Sequence, residues 1–354
     1  MYTKLELSNF RAYKEFSMEL KPVTLIAGRN NVGKTTILES IFAFHDYASP
    51  DVFSKLLGFR GVRTYDMSAK SIWDPMFNNM NSDEPIEIRL NDRNFLRLAK
   101  NKRLTLSKNQ LGAFNGNLDA SSTNYALSCT FAREKTFFTG DYVLGGDKMN
   151  HTPFLFGHEN NEIRQNDEPV QYIGPNTGHH DITITEWFGK VELSRNKEKL
   201  MEILALIDDD IIDITTIATS RLAVLYFTNK QGVMMPVHTI GDGMRKLLHI
   251  ALVMLANPGG VLLLDEVENG LHYSVYTSFW KAVSILANRM KCQVVATTHS
   301  YECISGALYG IKEAELGEDF ADVRLDRNDK GAVIPKTFSH AALERAAETD
   351  WEVR

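Results

Sequence analysis

Eight consecutive residues near the amino terminus have the types and spacing of a phosphate-binding loop. They are Gly28, Arg29, Asn30, Asn31, Val32, Gly33, Lys34 and Thr35. Glycines let the backbone wrap around an anion with its N–H groups pointing inward, and no side chain blocks the approach. The spacing therefore predicts that Lys34 bridges the β- and γ-phosphates of a nucleotide and that the Thr35 hydroxyl ligates Mg²⁺.

The neighbouring sequence favours this interpretation over a plain glycine turn. Residues 23–27 form a β-branched apolar run typical of a buried strand, and helical spacing resumes at Thr36. Strand, loop and helix in this order suit anion binding, because the helix N-terminus also points at the anion. We therefore include Thr36 among the nucleotide-binding candidates.

A second group of candidates lies where two later strands are expected to end. Four aliphatic residues, 261–264, precede Asp265 and Glu266, and His299 follows the run 293–298. Ligands of α/β sheets bind at the carboxyl ends of strands. We expect Asp265 to hold Mg²⁺ through its water shell, Glu266 to polarise the attacking water, and His299 to contact the γ-phosphate or that water. A solvated turn is the alternative for the acidic pair taken alone.

Two glycines open the apolar helix that is predicted upstream of Asp265. Gly241, Asp242 and Gly243 leave backbone N–H groups uncovered at a helix start, which makes a second anion site. If residues 28–35 already hold a nucleotide, this second site fits the ATP of another subunit. A plain helix start with glycine for a tight turn is the alternative.

Elements of alternating type must position these residues. Helices and strands alternate over residues 244–310, which is the pattern of a parallel sheet with crossover helices. Residues 48–182 differ, because short alternating runs separated by Asn, Asp, Gly and Ser predict antiparallel strands. The sequence thus predicts an α/β protein in four parts. These are the opening strands, loop and first helix (1–47), a β-rich insertion (48–182), the second part of the α/β unit (183–310), and a hairpin with a last helix (311–354).

Composition limits the class of protein and its compartment. The 354 residues are 44% hydrophobic and 24% charged, as in ordinary globular proteins, and the net charge of −6 argues against a surface that binds nucleic acid everywhere. The cysteines Cys129, Cys292 and Cys303 form no C-x-x-C pair, which argues against a disulfide scaffold or a zinc hook. We expect a cytoplasmic protein without a membrane partner, because no apolar run is long enough to predict a span.

Taken together, these motifs resemble an ABC-type ATPase head. More narrowly, residues 5–12, 265–272 and 297–300 resemble the RecF/SMC-like ATPases of the OLD and AAA_15/AAA_21 group. The resemblance implies a P-loop ATPase head with an antiparallel β subdomain and the β-rich insertion, and ATP and Mg²⁺ as cofactors. It also implies that two heads pair around two nucleotides, as a homodimer or within a higher oligomer.

The chain departs from the family pattern at the helix start. The family usually carries a serine where this chain has Gly241, so backbone amides alone would contact the opposite γ-phosphate. Residues 269–272 stand where the family's D-loop crosses the interface between heads. We take Gln171 as a candidate for the Q-loop residue.

The resemblance also suggests what the ATPase would do. OLD nucleases continue into a metal-binding TOPRIM domain, and the residues after His299 are too few for that domain. The first hypothesis is an ATPase that regulates a separate nuclease or toxin, as ATPases of this group do in antiphage defence. The alternatives are a RecF-like repair ATPase that binds DNA directly and a nucleotide-gated scaffold with little turnover.

Three further groups of residues have a plain interpretation beside a functional one. Residues 87–108 carry an excess of positive charge, which could meet a phosphate backbone or an acidic protein, or form a solvated sheet face. The members of this basic strip are Arg89, Arg93, Arg97, Lys100, Lys102, Arg103 and Lys108. We expect the acidic residues 208–210 to end a helix, and His179, His180 and Asp181 to lie in a loop rather than bind a metal.

Overall fold

The computed structural model describes most of the chain. The described ranges are 1–62, 67–101, 126–133, 136–146, 151–157, 169–175, 181–219, 222–329 and 331–348. Of the residues discussed above, Lys102, Arg103, Lys108, His179 and His180 lie outside these ranges. Among the helices within them, none is both long and apolar enough to cross a membrane.

The described strands form three sheets. In chain order the strands are β1 (Lys4–Phe10), β2 (Tyr13–Glu19), β3 (Val23–Gly28), β4 (Ile86–Leu90), β5 (Asn94–Asn101), β6 (Ala126–Arg133), β7 (Thr136–Gly146), β8 (His151–Gly157), β9 (Val170–Ile173), β10 (Ile211–Thr219), β11 (Leu222–Asn229), β12 (Met234–Pro236), β13 (Val261–Leu264), β14 (Gln293–Thr298), β15 (Phe320–Arg327) and β16 (Val333–Ser339).

Helices connect the strands and cover the sheets. In chain order the α-helices are α1 (Lys34–His45), α2 (Val52–Phe59), α3 (Ala69–Trp73), α4 (Asp181–Leu193), α5 (Lys197–Leu204), α6 (Asp242–Ala256), α7 (Tyr276–Met290), α8 (Tyr301–Glu313) and α9 (His340–Glu348). Short 3₁₀ turns lie at Asp74–Met76, Asn78–Met80, Val237–Thr239, Tyr273–Val275 and Gly317–Asp319.

A six-stranded sheet carries the ends of the predicted site strands. Its order is β16-β15-β3-β14-β13-β9, and all neighbours are parallel except β15 and β16. Because β3, β13 and β14 run in the same direction, their carboxyl ends meet at one edge of the sheet. That edge holds residues 28–35, Asp265 and His299.

The six-stranded sheet is buried on both faces. Leu262 and Leu264 point into a core shared with α6, α7 and α8, whereas Val261 and Leu263 point into a core shared with α1 and the antiparallel sheet. Successive side chains of a strand point to opposite faces, so a strand between two cores is apolar throughout. This explains why the run 261–264 is continuously aliphatic.

The seven-stranded antiparallel sheet joins the start of the chain to the segment predicted as an insertion. Its order is β2-β1-β4-β5-β6-β7-β8, and β1 pairs directly with β4. Residues 48–182 also supply β9 to the parallel sheet, where it pairs with β13. The boundary expected at residue 182 therefore does not coincide with a boundary between sheets. Neighbouring strands come from distant parts of the chain, and residue patterns do not reveal such pairing.

A three-stranded sheet, β10-β11-β12, packs against the helices α4 and α5, and these two helices pack against α6. Helix α4 buries Ile184, Phe188 and Val191, which are spaced by four and three residues as one helix face requires. These residues join the same core as α6 and α7. This layer fixes the position of α6, whose first turn carries residues 241–243.

Candidate active site

Two glycines make the loop between β3 and α1 sterically feasible. Gly28 has φ of 145° and Gly33 has φ of 106°, values that side-chain-bearing residues rarely adopt. A Cβ atom on Gly28 would lie 2.8 Å from the carbonyl oxygen of Leu325, and one on Gly33 would lie 2.7 Å from the hydroxyl of Tyr13. Both the backbone conformation and the available space therefore require glycine.

Lys34 reaches back across the opening of the loop. Lys34 is buried, and its ammonium donates to the carbonyl oxygens of Gly28 at 2.7 Å and Arg29 at 3.0 Å. Burial lowers the pKa of Lys34, and the carboxylates of Glu268, Asp265 and Glu266 oppose that shift. The ammonium thus lies over the loop, where the negative charge of a bound anion would stabilise its buried positive charge.

The start of α1 is open to an anion. Its N-cap, Gly33, provides no side-chain cap, so the first N–H groups of the helix have no side-chain partner there. Among the other candidates in this stretch, Arg29, Asn30 and Asn31 are exposed, whereas Val32 and Thr36 are buried.

Hydroxyl groups from three parts of the chain converge on the carboxylate of Asp265. Thr35 donates to Oδ2 at 2.9 Å, Tyr172 donates to Oδ2 at 2.9 Å, and Thr297 donates to Oδ1. Burial and the nearby carboxylate raise the pKa of Tyr172, so its hydroxyl remains a donor. The structure thus brings Thr35 and Asp265 together, as the predicted metal site requires.

Glu266 is held in an unusual backbone conformation next to that carboxylate. Its φ is 47°, and its N–H donates to the Thr297 hydroxyl at 2.9 Å. Its side-chain Oε2 accepts from the Asn269 amide at 2.8 Å. The hydroxyl of Thr297 therefore accepts from Glu266 and donates to Asp265, which ties the two acidic residues to the end of β14.

His299 follows β14 and contacts a third acidic residue. Its Nδ1 lies 2.6 Å from Glu268 Oε1, and its backbone N–H donates to the same oxygen at 2.8 Å. The imidazole is half-exposed, whereas Glu268 is buried. His299 therefore lies at the same sheet edge as Asp265 in a defined orientation.

The glycine motif opens α6 at a different place. Gly241 is the N-cap and provides no side-chain cap, and Asp242 is exposed. A Cβ atom on Gly243 would lie 3.1 Å from the side chain of Leu271. The uncovered helix start thus lies beside residues 269–272, whereas the loop 28–35 is packed against β2 and β15.

One buried lysine connects α6 to the acidic residues. Lys246 donates to the carbonyl oxygens of Val267 at 2.8 Å and Asn269 at 2.9 Å. Its Nζ also lies 3.5 Å from the backbone carbonyl oxygen of Glu266. Burial lowers its pKa to about 8. The first turns of α6 are therefore anchored to the loop that carries Glu266 and Glu268.

Two family models match consecutive parts of the chain. AAA_15, the AAA ATPase domain, matches residues 1–139. AAA_21, whose description reads AAA domain and refers to the AbiEii toxin of a Type IV TA system, matches residues 150–305. The chain is a P-loop ATPase. The predicted fold class and the predicted ATPase activity are thereby confirmed.

Relatives of this ATPase share little sequence with it. A Helicobacter pylori (strain ATCC 700392 / 26695) protein named ATP/GTP phosphatase is 23% identical over 370 residues, which is 99% of either chain. An SMC head solved with the C-winged helix domain of ScpA has a TM-score of 0.51 and 15% identity, covering 98% of this chain and 99% of that one. The SMC head from Thermotoga maritima has a TM-score of 0.45 and 12% identity, covering 95% and 98%. The ScpA-bound head shows that the ATPase has an SMC-like head fold.

Sequence reasoning missed several residues of this site. Tyr172 reaches Asp265 from β9, and Arg60 donates to Glu39 and lies 3.5 Å from the Thr36 hydroxyl. No motif marks either residue, since both come from the segment interpreted as an insertion. The Q-loop candidate Gln171 instead lines a narrow cleft with Val253, Asn257 and Cys292, among other residues.

Two groups of charged residues singled out in the sequence form ion pairs on the antiparallel sheet and in the turn before β10. On the antiparallel sheet, Glu87 pairs with Arg89 at 3.0 Å and with Arg97 at 3.7 Å. Asp209 pairs with Lys230 at 2.9 Å in the turn between α5 and β10, as expected for residues that end a helix.

Proposed function

We propose that this ATPase binds Mg-ATP between residues 28–36 and the carboxyl ends of β13 and β14, and that hydrolysis regulates a separate effector protein. The observation that supports the site best is the convergence of Thr35, Tyr172 and Thr297 on Asp265. A buried carboxylate with several hydroxyl donors is oriented before any ligand arrives.

The residues present fit a magnesium ion. The Thr35 hydroxyl and the Asp265 carboxylate are hard oxygen donors, the class that Mg²⁺ prefers, and they lie 2.9 Å apart. When bound, the ion would neutralise charge on the β- and γ-phosphate oxygens. Thr35 would bind it directly and Asp265 through water.

The remaining residues of this chain have separate tasks. Lys34 would exchange the carbonyls of Gly28 and Arg29 for phosphate oxygens. Glu266, fixed by Thr297 and Asn269, would polarise the attacking water, and His299 would contact that water or the γ-phosphate. The Helicobacter pylori relative is named an ATP/GTP phosphatase, so both nucleotides should be assayed with this chain.

A second subunit would complete each site. The start of α6 has no side-chain cap and lies beside residues 269–272, apart from the contacts of the loop 28–35. Backbone N–H groups at such a helix start attract a phosphate. Residues 241–243 would therefore contact the γ-phosphate that is held by the partner's loop, in a head-to-head homodimer or within a higher oligomer.

Light scattering tests the pairing. Glu266→Gln should keep ATP bound and unhydrolysed, so Mg-ATP should raise its molar mass from one head to two. Lys34→Ala, which lacks the ammonium, should show no change. An equal mass of Glu266→Gln with and without Mg-ATP, together with full hydrolysis by Gly243→Arg, would contradict the composite site.

The effector would be a nuclease or a toxin from another gene, with antiphage defence as the setting. The AAA_21 description associates the domain with the AbiEii toxin of a Type IV TA system, which supports a toxin-related setting. The outer face of the antiparallel sheet, which carries Arg89 and Arg97 of the basic strip, is the proposed docking surface.

Affinity purification from a host that carries the neighbouring genes tests this part. The wild type should capture the effector, and the Arg89→Glu/Arg97→Glu variant, which reverses charge on the outer face, should capture less of it. Capture that the charge reversal leaves unchanged would remove the basic strip from the proposal. DNA or RNA cleavage by the purified chain that survives Lys34→Ala would contradict the separate effector, and salt-dependent DNA binding lost in the same charge reversal would favour the repair alternative.

A further inference from the structure

The orientation of His299 depends on a single carboxylate oxygen. Glu268 Oε1 accepts the backbone N–H of His299 at 2.8 Å and lies 2.6 Å from its Nδ1. A carboxylate oxygen can only accept here, so the proton of the ring nitrogen lies on Nδ1. Nε2 is then the ring nitrogen left for a ligand or a water molecule.

Glu268 is itself held from both sides. The carbonyls of Val267 and Asn269, which flank it in the chain, accept from the buried ammonium of Lys246. Glu268 is 8% exposed, and the positive charges of Lys34 and Lys246 lie close enough for its carboxylate to act on both. Burying a charged group removes its hydration, and this cost is tolerated only when neighbouring charges and hydrogen-bond donors compensate for it.

Its second oxygen has no such partner. Glu268 Oε2 is buried and accepts no hydrogen bond from any residue that the structure describes. Within the described part of the chain, the hydrogen-bonding contacts of this side chain are therefore the two to His299. A residue that only stabilised the fold would be expected to use both oxygens.

We propose that Glu268 is a positioning residue for ATP hydrolysis. It holds His299 in one rotamer and one tautomer, with Nε2 available to the γ-phosphate or the attacking water. This inference rests on the role proposed above for His299. Partners that orient a functional imidazole in this way typically change activity by about 10–100-fold when removed.

A double-mutant cycle on kcat tests whether Glu268 acts through His299. Glu268→Ala should lower kcat by about 10–100-fold while leaving ATP affinity, measured by calorimetry, unchanged. Glu268→Gln keeps an acceptor oxygen for Nδ1–H, so it should retain more activity than Glu268→Ala. In a His299→Gln background, Glu268→Ala should have no further effect, because the group it orients is gone.

A matched control removes the charge of a neighbouring carboxylate on the first turn of α8. Glu302→Gln alters the first turn of α8, where Glu302 accepts from Ser300, and it should keep the wild-type kcat. Multiplicative losses in the Glu268→Ala/His299→Gln variant, or a wild-type kcat in Glu268→Ala, would overturn the inference. A wild-type kcat in His299→Gln would overturn the role proposed for His299 and this inference with it.

The tautomer gives a readout that does not depend on turnover. With ¹⁵N-labelled histidine and no nucleotide, the His299 signals, assigned by their loss in His299→Gln, should show the proton on Nδ1. Glu268→Ala should shift that proton toward Nε2, and Glu302→Gln should not. An Nε2-protonated His299 in the wild type would overturn the inference even if every kinetic result agreed.

Discussion

Asp265 is the residue on which the geometry of the site depends most. Its carboxylate accepts from Thr35, Tyr172 and Thr297, which come from α1, β9 and β14. Elements that are distant in sequence are thus connected through one side chain. Removing one hydrogen-bond partner from such a buried network lowers the free energy of unfolding by about 1–3 kcal/mol, because the remaining polar group is left without a partner.

At the same scale, the roles of Lys34 and Glu266 predict different defects. Lys34→Ala removes the ammonium over the loop and should abolish ATP binding. Glu266→Gln keeps the shape of the side chain and should bind ATP as the wild type does while slowing hydrolysis by at least about 100-fold. Calorimetry and phosphate release measure the two effects, and equal loss of affinity in both variants would contradict the assigned roles.

Asp322 predicts a pH dependence of stability that is independent of the site. It is fully buried on β15, and neither oxygen accepts a hydrogen bond from the residues that the structure covers. Burial raises its pKa from 3.8 to about 7, and the charge of Arg324 opposes the shift. Because the folded protein binds this proton more tightly, the stability it contributes is full below pH 3.8 and is lost as the pH rises through 7.

The measurement is the free energy of unfolding in urea at pH 5 and pH 7. The wild type should lose about 2 kcal/mol more than Asp322→Asn between these values, because the amide does not titrate. The control Asp209→Asn, at an exposed ion pair, should follow the wild type. Equal losses in the wild type and Asp322→Asn would show that Asp322 does not titrate in this range.

At the scale of elements, Lys246 joins α6 to the loop after β13. Lys246→Met keeps the length of the side chain but removes the donor to Val267 and Asn269, so those carbonyls lose a charged partner. The protein should lose about 1–3 kcal/mol of stability, and kcat should fall more than ATP affinity because the loop carries Glu266.

The matched control for this variant is Lys281→Met. Lys281 is paired with Glu313 at 3.0 Å on the surface, and exposed pairs of this kind contribute at most about 1 kcal/mol. Urea unfolding compares the two variants. If both lose the same small amount of stability and keep the wild-type kcat, Lys246 does not anchor the loop.

The elements that carry motifs could be predicted from the sequence, and those that support them could not. Composition alone predicts a buried strand from the aliphatic run 261–264. It also predicts a phosphate-binding turn from the glycine loop before α1. The pairing of β1 with β4 and of β9 with β13 depends on tertiary contacts. Tyr172 and Glu268 were missed for this reason, because their roles depend on contacts with Asp265 and His299 that only the folded chain makes.

At the scale of the molecule, the central feature is a pair of helix starts that lack a side-chain cap. The N-terminus of α1 lies behind the loop 28–35, and that of α6 lies beside residues 269–272. Both lack a side-chain cap. We propose that one binds the nucleotide of its own subunit and the other the nucleotide of a partner, so that hydrolysis requires the pair.

Mixing two inactive variants tests this central claim most directly. Gly243→Arg blocks the start of α6, and Glu266→Gln disables water attack, so each alone should hydrolyse almost no ATP. In a mixed pair, the intact loop and Glu266 of the Gly243→Arg subunit face the intact α6 of the Glu266→Gln subunit. Gly189→Arg, on the exposed side of α4 with open space around it, is the control and should be active alone.

The measurement is the rate of phosphate release from an equimolar mixture after exchange of subunits. Random pairing makes half of the pairs mixed, each with one working site of two, so we expect about a quarter of the wild-type rate per chain. A mixture no more active than the sum of its two components, or a Gly243→Arg variant with the wild-type rate on its own, would contradict it.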